Sequence, residues 1–228
     1  SMASQILLSS SSLKNAILKN FNTHKPKLNL LPNPVDENLF TLREIPNINP
    51  QFIIVCISLF RPEKRIDLVL ESFNDLVHSG IKAKLKLIGD GPLKHEIENQ
   101  IQKLGVSDLV ELPGYLPQKR IIDELHSSHF LVLPSDIETF GMVLVEAQAC
   151  GLPVVATDCG GPKDIITAES GILVTPDSVS ELAGGMKKLI SSFDKFDPSE
   201  IRNSVIQKFG QKSYAESIIN ITANLIKS

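Results

Sequence analysis

The chain has little that would draw it to a polymer or hold it in a bilayer. Its 23 Lys and Arg against 26 Asp and Glu leave a formal charge of −3, so the field of the whole molecule attracts neither nucleic acid nor an anionic membrane surface. Any anion site must therefore be local. No apolar run approaches the length that crosses a bilayer, and the opening SMASQILLSSSSLKN lacks the basic head and long apolar centre of a secretory leader. Cysteine is scarce: Cys56, Cys150 and Cys159 lie in or beside apolar runs without metal-ligand spacing, a pattern of reduced thiols in a cytosolic protein. The histidines do not cluster, and no third ligand stands near His126 and His129, so no metal site is expected. There is no internal repeat and no low-complexity segment longer than the serine run at 9–12.

What is present is a core and an alternation. Hydrophobic residues make up 42% of the 228 positions, ample for a large buried interior. From residue 51 onward, β-branched apolar runs alternate with helical periodicity. Strands are predicted at 52–59, 84–89, 108–114, 129–135, 152–161 and 170–178, and helices at 67–80, 92–105, 118–128, 141–151 and 179–193. Two further helices are expected at 198–208 and 211–227. Six strand-then-helix repeats read as an α/β fold, a Rossmann-like doubly wound parallel sheet of about six strands with helices on both faces. The stretch 32–50, rich in Pro and Asn, reads as a hinge or linker. The opening SQILLSSSSLKNAILKNF looks like the end of a strand running into a helix, the tail of something longer upstream, with the first two residues a cloning remnant.

Ligands of open parallel sheets sit beyond the carboxyl ends of the strands. There the sequence places IGDGP, with Gly89 and Gly91 around Asp90. The third glycine of a dinucleotide fingerprint is missing, Lys94 standing in its place, so the pair is either a tight turn or a close approach to a ligand. After the strand at 52–59 comes a basic group, Arg61, Lys64 and Arg65, before a helix whose dipole would favour acids; such a group suits a diphosphate. The segment SDIETFGMVLVE carries Glu138 before a helix start near Gly141 and Glu146 about one and a half turns inside it. The amides of Phe140, Gly141, Met142 and Val143 form a helix N-terminus ready for an anion. A nucleotide-diphosphate sugar fits, with phosphates on the helix start and the two carboxylates facing sugar and ribose hydroxyls.

The motifs NPVD, FRPEKRIDLVLESF, LIGDGPLK, VELPGYLP, LVLPSDIETFGMVLVEAQACGLPVVATDCGGPKDII and GILVTPDS, in that order, closely resemble the C-terminal, donor-binding half of retaining glycosyltransferases with the two-domain GT-B fold, glycosyltransferase group 1 or family 4. The resemblance covers roughly residues 28–190. It implies a hexosyltransferase that needs no metal or other cofactor, in keeping with the lack of an Asp-x-Asp triplet, and a UDP- or GDP-type donor. Glu138 would contact the donor sugar and Glu146 the ribose; Arg61 and Lys64 would hold the diphosphate. Backbone around Tyr115 and Leu116 would meet the base, Gly89, Asp90 and Gly91 would line the cleft, and the Phe140 to Val143 amides would cradle phosphate and sugar oxygens. Two positions depart from the family pattern: Leu59 stands where many members carry an arginine, Arg61 substituting from the next bend, and the acid after the glycine pair is Asp164 rather than Glu.

By the same resemblance, 1–27 belongs to the preceding acceptor domain or an interdomain segment, 28–210 is the donor domain, and 211–228 is a helix that leans back across the cleft. The partners would be a nucleotide sugar, an acceptor of carbohydrate, lipid or small-molecule type, and an acceptor domain absent from this chain, without which it would bind donor but not turn over. A cytoplasmic protein follows, with the inner face of a membrane open to it as a peripheral site. The alternatives are a nucleotide-binding regulatory module that lost catalysis, or a phosphorylase- or epimerase-like member of the same fold.

Overall fold

A computed structural model describes residues 5–20, 27–46 and 51–226, with side chains to 223. The chain begins with a small parallel unit, β1 (Gln5–Leu8), α1 (Ser11–Asn20) and β2 (Lys27–Leu30), in which β1 pairs β2 from Gln5↔Lys27 to Leu8↔Leu30. The main body follows: β3 (Phe52–Ile57), α2 (Ile66–His78), β4 (Ala83–Ile88), α3 (Lys94–Leu104), β5 (Val110–Gly114), α4 (Gln118–Ser127), β6 (Phe130–Leu133), α5 (Met142–Ala149), β7 (Val154–Thr157), α6 (Pro162–Ile165), β8 (Gly171–Val174) and α7 (Val179–Ser191). Two helices, α8 (Pro198–Phe209) and α9 (Gln211–Ile226), end it.

The six main strands are all parallel, in the order β5-β4-β3-β6-β7-β8. This is the expected doubly wound sheet. Successive residues of a strand point to opposite faces, and here both faces are covered. Ile54, Cys56, Leu85, Leu87, Val132 and Val155 join the core beneath α2, α3 and α7. Val55, Leu131, Leu133, Val154 and Ala156 join the core beneath α4, α5 and α8. That is why β6 (FLVL) and β7 (VVAT) are buried at every position and read as unbroken apolar runs. Nearer the sheet edge, β4 alternates, and its lysines are held at the surface by Lys86–Glu124 at 2.6 Å and Lys84–Glu111 at 3.8 Å.

Three predicted features need correction. Helix α6 fills part of what reads as loop after the glycine pair, and β2 lies where no strand was expected. The segment 32–50 is irregular, as its prolines dictate, but it is not a free linker over its described part. Val35 and Phe40 are buried, the Val35 N–H donates to the Phe209 carbonyl at 2.8 Å, and Val35 and Gly210 form a parallel bridge. Arg43, 5% exposed, donates to the carbonyls of Ser128 (3.0 Å) and His129 (3.4 Å), and Arg202 on α8 donates to the carbonyls of Glu37 (2.8 Å), Phe40 and Ala149. Two arginines thus supply donors to backbone carbonyls that no strand or helix reaches. Positions 47–50 lie outside the described residues.

All three cysteines are free thiols. Burial pushes Cys56 and Cys150 up to about 12, so both behave as small core hydrophobes. His129 packs edge-on with Phe52 and Phe193 while its Nδ1 accepts the Ile53 N–H at 2.8 Å, and His126 meets the Thr41 carbonyl at 2.9 Å. No helix among the described residues is long and apolar enough to cross a membrane.

Candidate functional site

Strand order reverses between β3 and β6, where the following segments diverge and leave a crevice at the carboxyl edge. The turn after β3 carries Ser58 to Arg65, and the loop after β6 carries Pro134 to Gly141. They meet directly. The Lys64 Nζ donates to Glu138 Oε2 at 2.7 Å, with the two side chains only 21% and 15% exposed. A backbone bond from the Asp136 N–H to the Glu63 carbonyl (2.9 Å) joins the same two segments.

Glycines place Glu138 from below. The Gly161 N–H donates to the Glu138 carbonyl at 2.7 Å, and Glu138 and Gly160 form a parallel bridge. A Cβ on Gly161 would lie 2.3 Å from the Phe140 carbonyl oxygen. Gly141, at φ +102, turns the chain into α5, and no protein acceptor among the described residues takes the N–H of Phe140, Gly141, Met142 or Val143. These are the free donors of a helix start, close to the Lys64–Glu138 pair.

Helix α5 explains its own second acid. Leu144, Val145, Ala147, Gln148 and Ala149 are buried, so the helix is apolar nearly all round and Glu146 looks out through the one side left open. That side is a cleft of about 340 Å³ lined by Ile57, Ser58, Leu59, Gly89, Tyr115, Leu116, Gln118, Ile121, Val143 and Glu146, with Phe40 and Ile88 at its back. The Glu146 carboxylate makes no hydrogen bond or ion pair with any described residue, and burial pushes it above the usual range.

The predicted site residues thus fall into three places. Lys64 and Glu138 meet at the loops; Gly89, Tyr115, Leu116, Val143 and Glu146 share the cleft; Phe140, Gly141 and Met142 lie between, at the start of α5. Arg61 is exposed on the turn three residues before Lys64 and has no ion-pair partner among the described residues. The glycine pair of IGDGP packs closely against the chain itself. A Cβ on Gly89 would sit 1.8 Å from the Ser58 carbonyl oxygen, and one on Gly91 2.6 Å from that of Phe60. The Asp90 carboxylate turns back to the Gly91 N–H (2.8 Å) and towards Lys94 (4.0 Å), away from the cleft lining. Arg65, grouped by sequence with the diphosphate ligands, is engaged by three carboxylates, Asp67 (3.1 Å), Asp136 (3.1 Å) and Asp177 (2.6 Å). Asp164 accepts from the Ser11 N–H (2.6 Å) and hydroxyl (2.5 Å) and so caps α1.

Sequence reasoning missed Gln118, Ile121, Ser58 and Phe40 as lining. The first three follow parallel strands or open the next helix, a position that could have flagged them; Phe40 comes from the presumed linker and carries no such signal.

The sequence profile of the family Glycosyl transferases group 1 matches residues 40–207. An exopolysaccharide phosphotransferase of Streptomyces coelicolor is 31% identical over 195 residues, 84% of this chain and 19% of that protein. The N-acetyl-alpha-D-glucosaminyl L-malate synthase of Bacillus anthracis is 33% identical over 141 residues, 59% of this chain and 36% of that protein. The matched part therefore spans less than half the length of either. A solved Anabaena protein, HepE in complex with UDP and glucose, superimposes with a TM-score of 0.83 at 21% identity, over 97% of this chain and 63% of its own.

Proposed function

Because the chain belongs to the glycosyl transferases of group 1, folded as the C-terminal Rossmann-like domain of a GT-B enzyme, we propose that its crevice binds a nucleotide-diphosphate sugar and supports retaining transfer of the sugar, as in family 4. One observation carries the reading: the unpartnered N–H groups at the start of α5 lie between the Lys64–Glu138 pair and the cleft bearing Glu146. The order along α5 matches the order of groups in such a donor.

The base occupies the apolar cleft against Tyr115 and Leu116, and the unpaired Glu146 accepts from the ribose hydroxyls. The diphosphate lies on the α5 amides, with Lys64 and the exposed Arg61 supplying positive charge. Glu138, released from Lys64 as the phosphates arrive, accepts from sugar hydroxyls and holds the ring for reaction. In the transfer, the bond from the anomeric carbon to the diphosphate oxygen breaks, a bond to the acceptor oxygen forms on the same face, and the acceptor proton passes to the departing phosphate. Lys64, Arg61 and the α5 amides stabilise the charge that develops there. No metal is needed in this scheme, because protein cations and amides meet the phosphates. The solved HepE complex supports a uridine nucleotide. The acceptor is bound by residues beyond those of this domain, and the chain binds donor without turning over alone.

Calorimetric titration with UDP, GDP and ADP tests the reading. One nucleotide should bind selectively, and Glu146→Ala should weaken it about tenfold or more, the loss of charge-assisted hydrogen bonds. Equal affinity in the variant, or no binding at millimolar nucleotide, would reject the cleft as the donor site.

A further inference from the structure

Among the described residues, two that are not glycine have positive φ: Arg65 at 48° and Asp177 at 55°. They are bonded to each other, Arg65 Nη1 to Asp177 Oδ1 at 2.6 Å. Backbone in this region is sparsely populated by side-chain-bearing residues and persists where surroundings hold it. The same Nη1 also reaches Asp136 (3.1 and 3.3 Å), while Nε and Nη2 grip Asp67 at 3.1 to 3.2 Å. One guanidinium therefore joins the turn before α2, the loop after β6 and the turn after β8, the last of which is separated from β3 by β6 and β7.

Two of the three joined segments carry a site residue. Arg65 directly follows Lys64, and Asp136 stands two positions before Glu138. A single exposed ion pair adds little to stability, and Asp177 is 75% exposed; the significance of the set lies in geometry, since a planar fork with fixed donors sets direction as well as distance. We propose that Arg65 is a positioning residue, whose three-carboxylate clamp aligns the strand-end turns so that Lys64 and Glu138 meet in the donor site. The clamp makes no contact with the donor. Its role in transfer rests on the donor-site reading; its role in holding the pair does not.

The test therefore uses a substrate-free readout as well. The rate at which Lys64 is acetylated by acetic anhydride, followed by peptide mass spectrometry, reports whether its Nζ is engaged, with Glu138→Gln as the unpaired standard and Lys86, paired with Glu124 at 2.6 Å, as the internal control. Arg65→Gly relieves the backbone conformation and removes the clamp together. In it, Lys64 should be acetylated at the Glu138→Gln rate, at least about threefold faster than in the wild type, with Lys86 unchanged and the thermal midpoint near that of the wild type. Arg65→Lys should remain close to Arg65→Gly, because one ammonium cannot serve three turns. A wild-type Lys64 rate in folded Arg65→Gly overturns the proposal. Should that variant not fold, the double variant Asp136→Asn with Asp177→Asn carries the same expectation and the same refutation. UDP and GDP titration of the same samples separates the two ideas. A wild type that binds neither, but whose Lys64 is exposed by clamp removal, sinks the donor site and keeps the clamp; nucleotide binding with an unchanged Lys64 rate does the reverse.

Discussion

Glu138 and Glu146 are the same chemical group on two neighbouring regions, and the protein treats them in opposite ways. On the loop after β6, Glu138 is matched by Lys64 at 2.7 Å and held by the backbone of Gly161. On α5, Glu146 faces the open cleft without a counter-ion among the described residues, and burial raises its pKa. A charge kept neutralised at rest suits a group that exchanges partners when an anion arrives; a carboxylate kept hungry for donors suits one whose partners are hydroxyls on a ligand. On the proposed reading, position along one short segment separates two kinds of recognition.

The largest effect should come from breaking the support under one region only. Gly161→Ala forces a Cβ against the Phe140 carbonyl and should cost about 3 kcal/mol or more in denaturant unfolding, in the range of backbone clashes in packed sites. Next come the carboxylates themselves, measured in a polypeptide that carries the acceptor half. Glu138→Gln should lower kcat about a hundredfold with the donor KM little changed, whereas Glu146→Gln should raise donor KM about tenfold and leave kcat, the split expected when one contact forms in the transition state and the other binds uniformly. The same split in both variants would erase the distinction between the two regions.

A smaller effect concerns the resting ion pair. Lys64→Met should destabilise the fold by about 1 kcal/mol, and adding Glu138→Gln should recover most of it, the sign of a partly exposed pair whose partner is left uncompensated. Smallest is a pH effect on Glu146. Its folded pKa lies above its unfolded value, so the folded state holds the proton more tightly and stability falls as pH rises from the ordinary carboxylate range. Glu146→Gln should therefore melt higher than the wild type at neutral pH, and the difference should vanish below about pH 4, where both unfolded and folded carboxyls are protonated.

Much of this was legible in the sequence because parallel strands covered on both faces are unbroken apolar runs. FIIVCI, FLVL and VVAT could be read directly, and Glu146 stood out as an acid inside a helix with no polar face. Gly89 and Gly91 were legible as close approaches but not as approaches of the chain to itself, since the Ser58 and Phe60 carbonyls they meet lie about thirty residues upstream. KLNL was invisible as a strand because it is four residues long with a single neighbour. The clamp was hidden for a related reason: Asp67 looks like an ordinary acid of a helix start, Asp136 and Asp177 look like ordinary turn residues, and only the topology brings the last two to the Arg65 guanidinium.

The Val35–Gly210 bridge bears on how forces pass through the molecule. The backbone enters the body formed by residues 35–210 and leaves it at one shared point, like two pins in the same knuckle of a door. The Asp164 carboxylate on the Ser11 amide and hydroxyl, set beside the glycine pair that supports Glu138, is a separate tie between that body and the β1-α1-β2 unit.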